Sequence, residues 1–468
     1  MQETLSHYFG YKSFRPGQEE IITKILNHQH TLGVLPTGGG KSICYQVPGL
    51  MQGGTTIVIS PLISLMKDQV DQLQAMGIQA AYLNSSLTHK QQKEIEERIK
   101  RGAIQFLYVA PERFENTFFL NLLRKIKIPL IAFDEAHCIS KWGHDFRPSY
   151  QSVIQKVFTL PQSFTIVALT ATATAEVQQD IMSKLSIGQN DVVKTSTKRR
   201  NLIFKVNPTY QRQKFVVDYV ANHEGQAGII YCSTRKQVEE LHEALNSEKI
   251  KSTIYHAGLT NKERIEAQND FLYDRVEVVI ATNAFGMGID KSNVRYVIHY
   301  NMPGDLESYY QEAGRAGRDG LKSECILLFS ERDKGLHEYF ITVSQADDDY
   351  KDKMGEKLTK MIQYTKTKKC LEATIVHYFE PNENLEECNQ CSNCIQENKT
   401  YDMTREAKMI ISCIARMKQQ ESYSVIIQVL RGEVTDYIKH HHYNELTTHG
   451  LMKNYTTSEL SPVSYTHL

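Results

Sequence analysis

Three stretches of this sequence carry side chains suited to handling a nucleoside triphosphate. The first is Leu35-Pro-Thr-Gly-Gly-Gly-Lys-Ser42, set between a strand-like run and a helix-like one. Its glycines let the backbone wrap closely round phosphate oxygens, with the amides of Thr37, Gly38, Gly39 and Gly40 turned inward. Lys41 adds a mobile cation for the β- and γ-phosphates, and the Ser42 hydroxyl suits Mg²⁺. The run lacks the first glycine of the generic GxxxxGK(S/T) string, so on its own it also reads as a glycine-rich turn beside a lysine. The second stretch, Leu130-Ile-Ala-Phe-Asp-Glu-Ala-His137, places two carboxylates at the end of an apolar run. A strand end facing a phosphate loop is where a second Mg²⁺-holding acid must sit. Asp134 is therefore assigned to the metal, through water, and Glu135 to positioning and deprotonating the attacking water. An isolated Asp-Glu pair is commonly no more than a solvated turn; its order after the loop and its strand context favour chemistry here. The third stretch, Tyr310-Gln-Glu-Ala-Gly-Arg-Ala-Gly-Arg-Asp319, sets Arg315 and Arg318 on one helix face or turn. Phosphoryl transfer needs positive charge at the γ-phosphate as the transition state forms, and a planar guanidinium suits that task. Surface ion pairing is the commoner fate of arginine, but flanking glycines permit close approach.

A fourth group is made of thiols. Cys370, Cys388, Cys391 and Cys394 follow the pattern Cys-x17-Cys-x2-Cys-x2-Cys. Cys-x2-Cys steps bring thiolates to one centre, and four sulfurs satisfy tetrahedral Zn²⁺ with no open position, so the expected site is structural. Disulfides are the competing reading, and a reducing compartment disfavours them. Cys44, Cys138, Cys232, Cys325 and Cys413 are scattered and read as buried apolar residues. His440-His-His442 offers imidazoles, but consecutive residues do not converge on one ion from a helix or a strand; it reads as a solvated polar tract.

These groups require a scaffold. From Leu32 to about residue 200, short runs rich in branched residues (Thr56–Ser60, Phe106–Val109, Leu130–Phe133, Ile166–Thr170) alternate with polar helical segments such as Lys90–Arg101. The alternation predicts a parallel α/β sheet. It resumes after a basic joint, Lys198–Asn201, with Gly228–Cys232, Val276–Ala281, Val294–His299 and Ser323–Phe329, which predicts a second lobe and a cleft between the two. Beyond Glu331 helices are expected at Gly335–Val343 and Lys351–Lys366, then the cysteines, then a helical segment Thr404–Gly432 with Ile410, Ile414 and Met417 on one face. The 468 positions are 41 % hydrophobic and 23 % charged, the balance of a soluble chain of two to four domains. Lys plus Arg and Asp plus Glu both total 54, so net charge neither supports nor excludes a nucleic-acid partner; its distribution decides. Apolar runs such as Ile126–Phe133 are too short to cross a bilayer. Met1–Gly10 lacks the basic-then-apolar pattern of a secretory leader, so the expected address is cytoplasmic, nucleoid-associated in a bacterium, with reduced cysteines.

Together these motifs resemble superfamily 2 helicases, and finer detail resembles the RecQ family of ATP-dependent DNA helicases. Leu5…Phe9-Gly10-Tyr11…Phe14-Arg15-Pro16-Gly17-Gln18 is similar to that family's adenine-reading motif; the resemblance implies that Gln18 contacts the base, with Arg15 a weaker candidate. Ser60–Asp68, Ala110–Arg113 and Ala168–Thr174 resemble the remaining motifs of the first lobe. The similarity implies that Ser60–Asp68 faces nucleic acid and that Thr170 and Thr172 couple it to the ATP site. Tyr231–Arg235, Tyr255–Gly258 and Ala281–Asp290 match in the second lobe. The most discriminating run is His137-Cys-Ile-Ser-Lys-Trp-Gly-His-Asp-Phe-Arg147, which looks like the aromatic-rich loop of RecQ proteins. Trp142 and Phe146 would offer faces to bases, worth about 1–3 kcal/mol each, and Arg147 a cation to phosphate. A lone tryptophan is by default a core residue; the polar surroundings and the family match favour the loop role for Trp142 and, beside Glu135, a coupling role for His137.

The resemblance implies an α/β chain of two tandem RecA-like parallel-sheet lobes, a helical zinc-binding module and a partial winged helix, with boundaries at 1–200, 201–335, 336–398 and 399–468. RecQ proteins carry such a zinc module after the second lobe; Leu371 stands where they often have arginine. The implied activity is an ATP-dependent DNA helicase moving 3′-to-5′ on single-stranded DNA and unwinding tailed or forked duplexes in recombination, repair or replication restart. ATP, Mg²⁺ and structural Zn²⁺ are its cofactors, DNA its partner, no membrane is involved, and a monomer is expected. Ser461–Leu468 matches nothing expected of a winged helix and no strand-separating hairpin is evident. A truncated terminus is therefore expected, which bears on unwinding more than on ATP hydrolysis. Two other readings stay open: an RNA-remodelling enzyme on the same engine, and a binding or annealing protein with a decayed ATP site.

Overall fold

The computed structural model describes residues 1–61, 63–84, 87–143, 145–283, 285, 291–344, 346–395, 404–418 and 421–455. Part of the Ser60–Asp68 run, His144 of the aromatic loop, most of Ala281–Asp290 and all of Ser461–Leu468 lie outside the described residues. By its contacts the chain divides into a unit of Met1–Gln396 and a second of Glu397–Leu468.

The first unit holds two parallel sheets. Strands β1 (Thr31–Val34), β2 (Thr56–Ile59), β3 (Ala80–Leu83), β4 (Phe106–Val109), β5 (Leu130–Phe133), β6 (Thr165–Thr170) and β7 (Val192–Lys194) lie in the order β3-β4-β2-β5-β6-β1-β7. The second sheet, β8 (Leu202–Pro208), β9 (Ala227–Tyr231), β10 (Ser252–Tyr255), β11 (Val278–Ala281), β12 (Val294–His299) and β13 (Ser323–Phe329), runs β10-β11-β9-β12-β13-β8. Central strands such as β2, β5 and β6 are buried throughout, as sheets covered by helices on both faces require, and this is why they read as unbroken apolar runs. The strands that the sequence reading does not single out, β3, β7, β8 and β10, are the four sheet edges. There one side meets solvent, β10 is only half-buried along its length, and the apolar signal thins.

Helices deliver the functional turns. In the first lobe α1 (Gln18–Leu26) packs on α2 (Ile43–Gln52), which follows the phosphate loop, and α3 (Pro148–Val157) closes the aromatic loop. In the second, α4 (Leu306–Ala313), N-capped by Asp305, ends in the turn that carries Arg315 and Arg318. α5 (Glu331–Val343) starts four residues before the expected Gly335, because Ser330 and Asp333 form a capping box. α6 (Asp348–Lys366) is capped by Asp347, α7 (Leu371–Phe379) by Cys370, and α8 (Ser392–Ile395) carries Cys394, the last of the four clustered cysteines. Leu358, Met361, Tyr364, Leu371, Val376 and Phe379 of this module share one buried core with Leu202, Phe204, Val297, Tyr309 and Leu327 of the second lobe.

The second unit is described by α9 (Thr404–Arg416), α10 (Tyr423–Arg431) and α11 (Asp436–His440). Ile410, Met417, Ile426, Val429, Leu430, Ile438 and Met452 form its core. Thr404–Gly432 is thus two helices, not the single segment expected. Ile410, Ile414 and Met417 do share a face, but Lys418 takes a left-handed backbone (φ 59°), which an L-residue cannot continue as helix. Among the described residues this unit has no strand, and no helix of the chain is long and apolar enough to cross a membrane.

Candidate functional site

The C-terminal ends of the first sheet gather the predicted nucleotide groups, the place where open parallel sheets bind ligands. The phosphate loop follows β1, Asp134 and Glu135 follow β5, and Thr170 ends β6. Opposite them lies the turn after α4. A cavity of about 430 Å³ is lined from the first lobe by Arg15, Gln18, Thr37, Gly38, Gly40, Lys41, Ser42, Asp134 and Glu135, and from the second by Arg315 and Arg318. Gly39 belongs to the loop but does not line this cavity. The approach of the lobes is close. A Cβ built on Gly38, whose φ is +79°, would lie 3.5 Å from Arg318 Cγ, and one on Gly314 would meet Thr37 Oγ1 at 2.9 Å. Any larger residue at Gly314 would push the arginine turn away from the phosphate loop.

Within the cavity, burial pushes the Asp134 carboxyl up to about 7, the neighbouring Glu135 charge adds to this, and Lys41 and the Glu135 amide oppose it. Glu135 itself sits in the left-handed region (φ 47°, ψ 50°), the sharp turn that starts the short helix Ala136–Ile139. Gln18 and Arg15 are placed at the loop but turned onto its backbone. Gln18 Nε2 donates to the carbonyls of Gly39 (3.1 Å) and Gly40 (2.9 Å), its Oε1 accepts from the Arg15 amide (2.8 Å), and the Arg15 guanidinium donates to Gly38 O. In this conformation both residues brace the phosphate loop.

From Glu135 a chain of polar contacts runs inward. The His137 ring lies 3.4 Å from the Glu135 carboxylate and 3.0 Å from Thr170 Oγ1, which donates to Thr172 O at 3.1 Å. His137, Thr170, Thr172 and Ser60 are all buried, so none of the four presents a surface to a strand; Ser60, expected at the nucleic-acid face, is 1 % exposed at the end of β2. The half-buried part of the group is the aromatic loop. Phe146 is half-buried. Arg147 is fastened within the protein, donating to Asp145 Oδ2 at 3.0 and 3.1 Å and to Pro61 O at 3.0 Å. Trp142 packs against the first lobe's core, and the ammonium groups of Lys141 and Lys353 lie 5.2 and 5.9 Å from its ring centroid.

The four cysteines of the helical module converge as expected, with all their sulfurs within 4.8 Å of one another. Tetrahedral Zn²⁺ with bonds of about 2.3 Å sets sulfurs roughly 3.8 Å apart; Cys370 and Cys391 are 4.0 Å apart. Backbone amides of Leu371, Ala373 and Cys391 point at the sulfurs of Cys391, Cys370 and Cys388, the donor shell that stabilises thiolates. His440–His442 are not among the groups able to hold a metal in the described residues.

Comparison with known proteins agrees with this geometry along most of the chain. Residues 15–181 match the DEAD/DEAH box helicase family, 211–320 the helicase conserved C-terminal domain, 331–395 the RecQ zinc-binding family and 397–466 the RQC domain. The ATP-dependent DNA helicase RecQ of Bacillus subtilis is 46 % identical over 461 residues, 98 % of this chain and 78 % of the relative. That of Pasteurella multocida is 40 % identical over 97 % of this chain and 71 % of its own length. The chain belongs to the RecQ family of ATP-dependent DNA helicases. Among solved structures, the helicase MrfA bound to DNA has a TM-score of 0.60 at 17 % identity, covering 74 % of this chain and 51 % of that one. Saccharomyces cerevisiae Dbp5 bound to RNA has a TM-score of 0.59 at 18 % identity, covering 76 % and 97 %. At such identities the likeness is one of fold, two RecA-like lobes. The family's zinc-binding segment contains all four converging cysteines, so zinc is a cofactor, and ATP is the nucleotide of the helicase family.

Arg199 is a residue of this RecQ site that the sequence reading passed over as part of a basic joint. Its Nη1 donates to Thr37 O in the phosphate loop at 2.7 Å, and its Nη2 to Ala316 O and Gly317 O in the arginine turn at 3.1 and 3.0 Å. Asn201 supports it, accepting from Arg199 Nε and donating to Gly317 O. The only signal in the sequence is a basic residue at the junction of two sheets.

Two outcomes follow from this geometry. Because the fold favours the protonated Asp134 carboxyl, the nucleotide-free protein keeps a proton that the unfolded chain releases near pH 4. Stability should therefore decline as pH rises from about 4 to about 7, measured as Tm of the zinc-loaded protein without nucleotide or added Mg²⁺, relative to Asp134→Asn, in which this component is absent. Because the cysteine module shares a core with the second lobe, chelating the metal should lower Tm and ATP turnover in a single cooperative transition, rather than melting a separate small domain.

Proposed function

We propose that this chain is a motor that hydrolyses ATP to move 3′-to-5′ along single-stranded DNA and to open tailed or forked duplexes, in recombination, repair or replication restart. The observation that carries the reading is the meeting of Arg315 and Arg318 with Lys41, Asp134 and Glu135 across one cavity, with the Trp142 loop continuing directly from the carboxylate pair. The polarity and the pathway rest on family membership.

In this account the Thr37–Gly40 amides and Lys41 hold the β- and γ-phosphates, and Glu135 orients and deprotonates the attacking water. Arg315 and Arg318 bring charge to the transferring phosphoryl group when the cleft is closed. Gln18 and Arg15 leave the loop backbone to meet adenine. The residues present fit Mg²⁺, since the Ser42 hydroxyl and the Asp134 carboxylate line the same cavity. Bound with ATP, Mg²⁺ supplies charge neutralisation at the phosphates. Arg199 fixes how far the two loops separate. Trp142, Phe146 and Arg147 receive the strand once it displaces their present partners, and the His137–Thr170–Thr172 chain relays occupancy to Glu135. A monomer in the cytoplasm, on the nucleoid of a bacterium, goes with this role.

Steady-state ATP turnover with and without single-stranded DNA tests the reading, with a matched RNA strand as the comparison. Turnover should rise roughly tenfold or more with DNA and be abolished in Glu135→Gln, which keeps the shape of the side chain but not its base. Turnover indifferent to DNA contradicts the motor. Equal stimulation by RNA favours the remodelling enzyme, and no turnover in folded, zinc-loaded protein favours a binding protein.

A further inference from the structure

Lys357 sits where three parts of the first unit meet. Its ammonium donates to the backbone carbonyl of Trp142 at 2.8 Å and pairs with Glu307 Oε1 at 3.0 Å. The two side chains keep only 6 % and 3 % of their surface exposed, so the pair is shielded from competing water and salt. Each partner belongs to a different working part. Trp142 is in the aromatic loop of the first lobe. Glu307 opens α4, whose far end is the turn bearing Arg315 and Arg318. Lys357 is on α6 of the cysteine module. The Tyr378 phenol on α7 also faces Glu307; its burial, and then that carboxylate, keep it protonated.

Weaker contacts surround this junction. Lys141 pairs with Asp347 (3.1 Å) and Asp349 (3.5 Å) at the start of α6, and Lys353 with Glu176 (2.9 Å) of the first lobe, all partly exposed. Lys141 and Lys353 are also the two cations near the Trp142 ring. A nucleobase stacking on that ring competes with them, and with the rim released the Lys357 bond to Trp142 O still ties loop to module from a buried position. Movement of the loop then acts on Lys357, and through Glu307 on α4. A buried ion pair adds little net stability over an apolar pair of the same shape, but separating its partners is costly, so Lys357 and Glu307 tend to move together.

Building on the motor reading above, we propose that Lys357 is a positioning residue that transmits strand occupancy of the Trp142 loop to Arg315 and Arg318 by way of Glu307 and α4. The zinc module then has a part in coupling besides holding the second lobe's core. The Lys357 side chain does not line the nucleotide cavity.

Trp142 is the sole tryptophan, so fluorescence excited at the red edge, beyond the absorption of the 25 tyrosines, reports the loop. The test uses the full zinc-loaded chain as wild type, as Lys357→Met with Glu307→Gln, and as Lys357→Arg. Tm, zinc content, DNA-free turnover, DNA-stimulated turnover and the fluorescence response to single-stranded DNA are read for each. The double variant leaves no unpaired buried charge. It should bind DNA with the wild-type fluorescence change and keep DNA-free turnover, yet lose about fivefold or more of the stimulation. Lys357→Arg, which keeps charge and donors, should retain most of it and decides the matter if the double variant does not fold. Full stimulation in the double variant overturns the proposal, as does an equal loss in Lys357→Arg, which would make packing the cause. A wild type that DNA does not stimulate overturns the motor reading instead.

Discussion

One guanidinium sets the separation on which this site depends. Arg199 reaches the phosphate-loop carbonyl of Thr37 with one nitrogen and the carbonyls of Ala316 and Gly317 with the other. It thereby fastens the turn carrying Arg315 and Arg318 over the loop carrying Lys41. Charge-assisted bonds to neutral carbonyls contribute about 1.5–3 kcal/mol each when buried, so the closed approach of the lobes is held by backbone acceptors whose positions the two sheets define. Gly314 and Gly38 allow the approach by leaving room where a side chain would stand. Everything proposed for the motor requires that separation to be short when nucleotide is bound and to change when it is not.

The carboxylate pair shows how the same geometry prepares chemistry before any ligand arrives. The left-handed backbone at Glu135 costs about 1 kcal/mol or more, and it turns the chain sharply enough for His137 to reach Thr170. Asp134, buried beside Glu135, favours its proton until a cation offsets the charge. The aromatic loop begins at the same turn, so a displacement there has a short path to the carboxylates through the first lobe and a second path through Lys357 to α4.

Much of this was readable in the sequence, and the remainder has a physical reason for being hidden. The phosphate loop, the Asp134–Glu135 pair, the two arginines and the four cysteines are legible because each chemistry demands several residue types at short spacing. The central strands are legible because burial on both faces makes them uniformly apolar, whereas β3, β7, β8 and β10 are edges and lose that signature. Arg199 and Lys357 are single basic residues in polar stretches, and the partners that matter lie far off in sequence, Thr37 162 positions from Arg199 and Trp142 215 from Lys357, so spacing carries nothing about them. Gln18 stands beside the phosphate loop and Arg147 in the aromatic loop, but the sequence does not disclose their present partners, the phosphate-loop backbone and Asp145 with Pro61. Those contacts belong to one conformation, and composition cannot reveal which conformation a long polar side chain takes.

The account stands or falls on whether the second lobe's guanidinium groups act on the phosphoryl group as it transfers. ADP with aluminium fluoride imitates that group in flight, and its grip on the protein can be read as the release rate of a fluorescent ADP in the presence of single-stranded DNA. The wild-type chain should hold the mimic at least about 100-fold longer than ADP alone, and the Arg315→Ala/Arg318→Ala variant, with zinc and Tm intact, should show no such gain. An equal gain in that variant would contradict the claim that catalytic charge arrives from across the cleft.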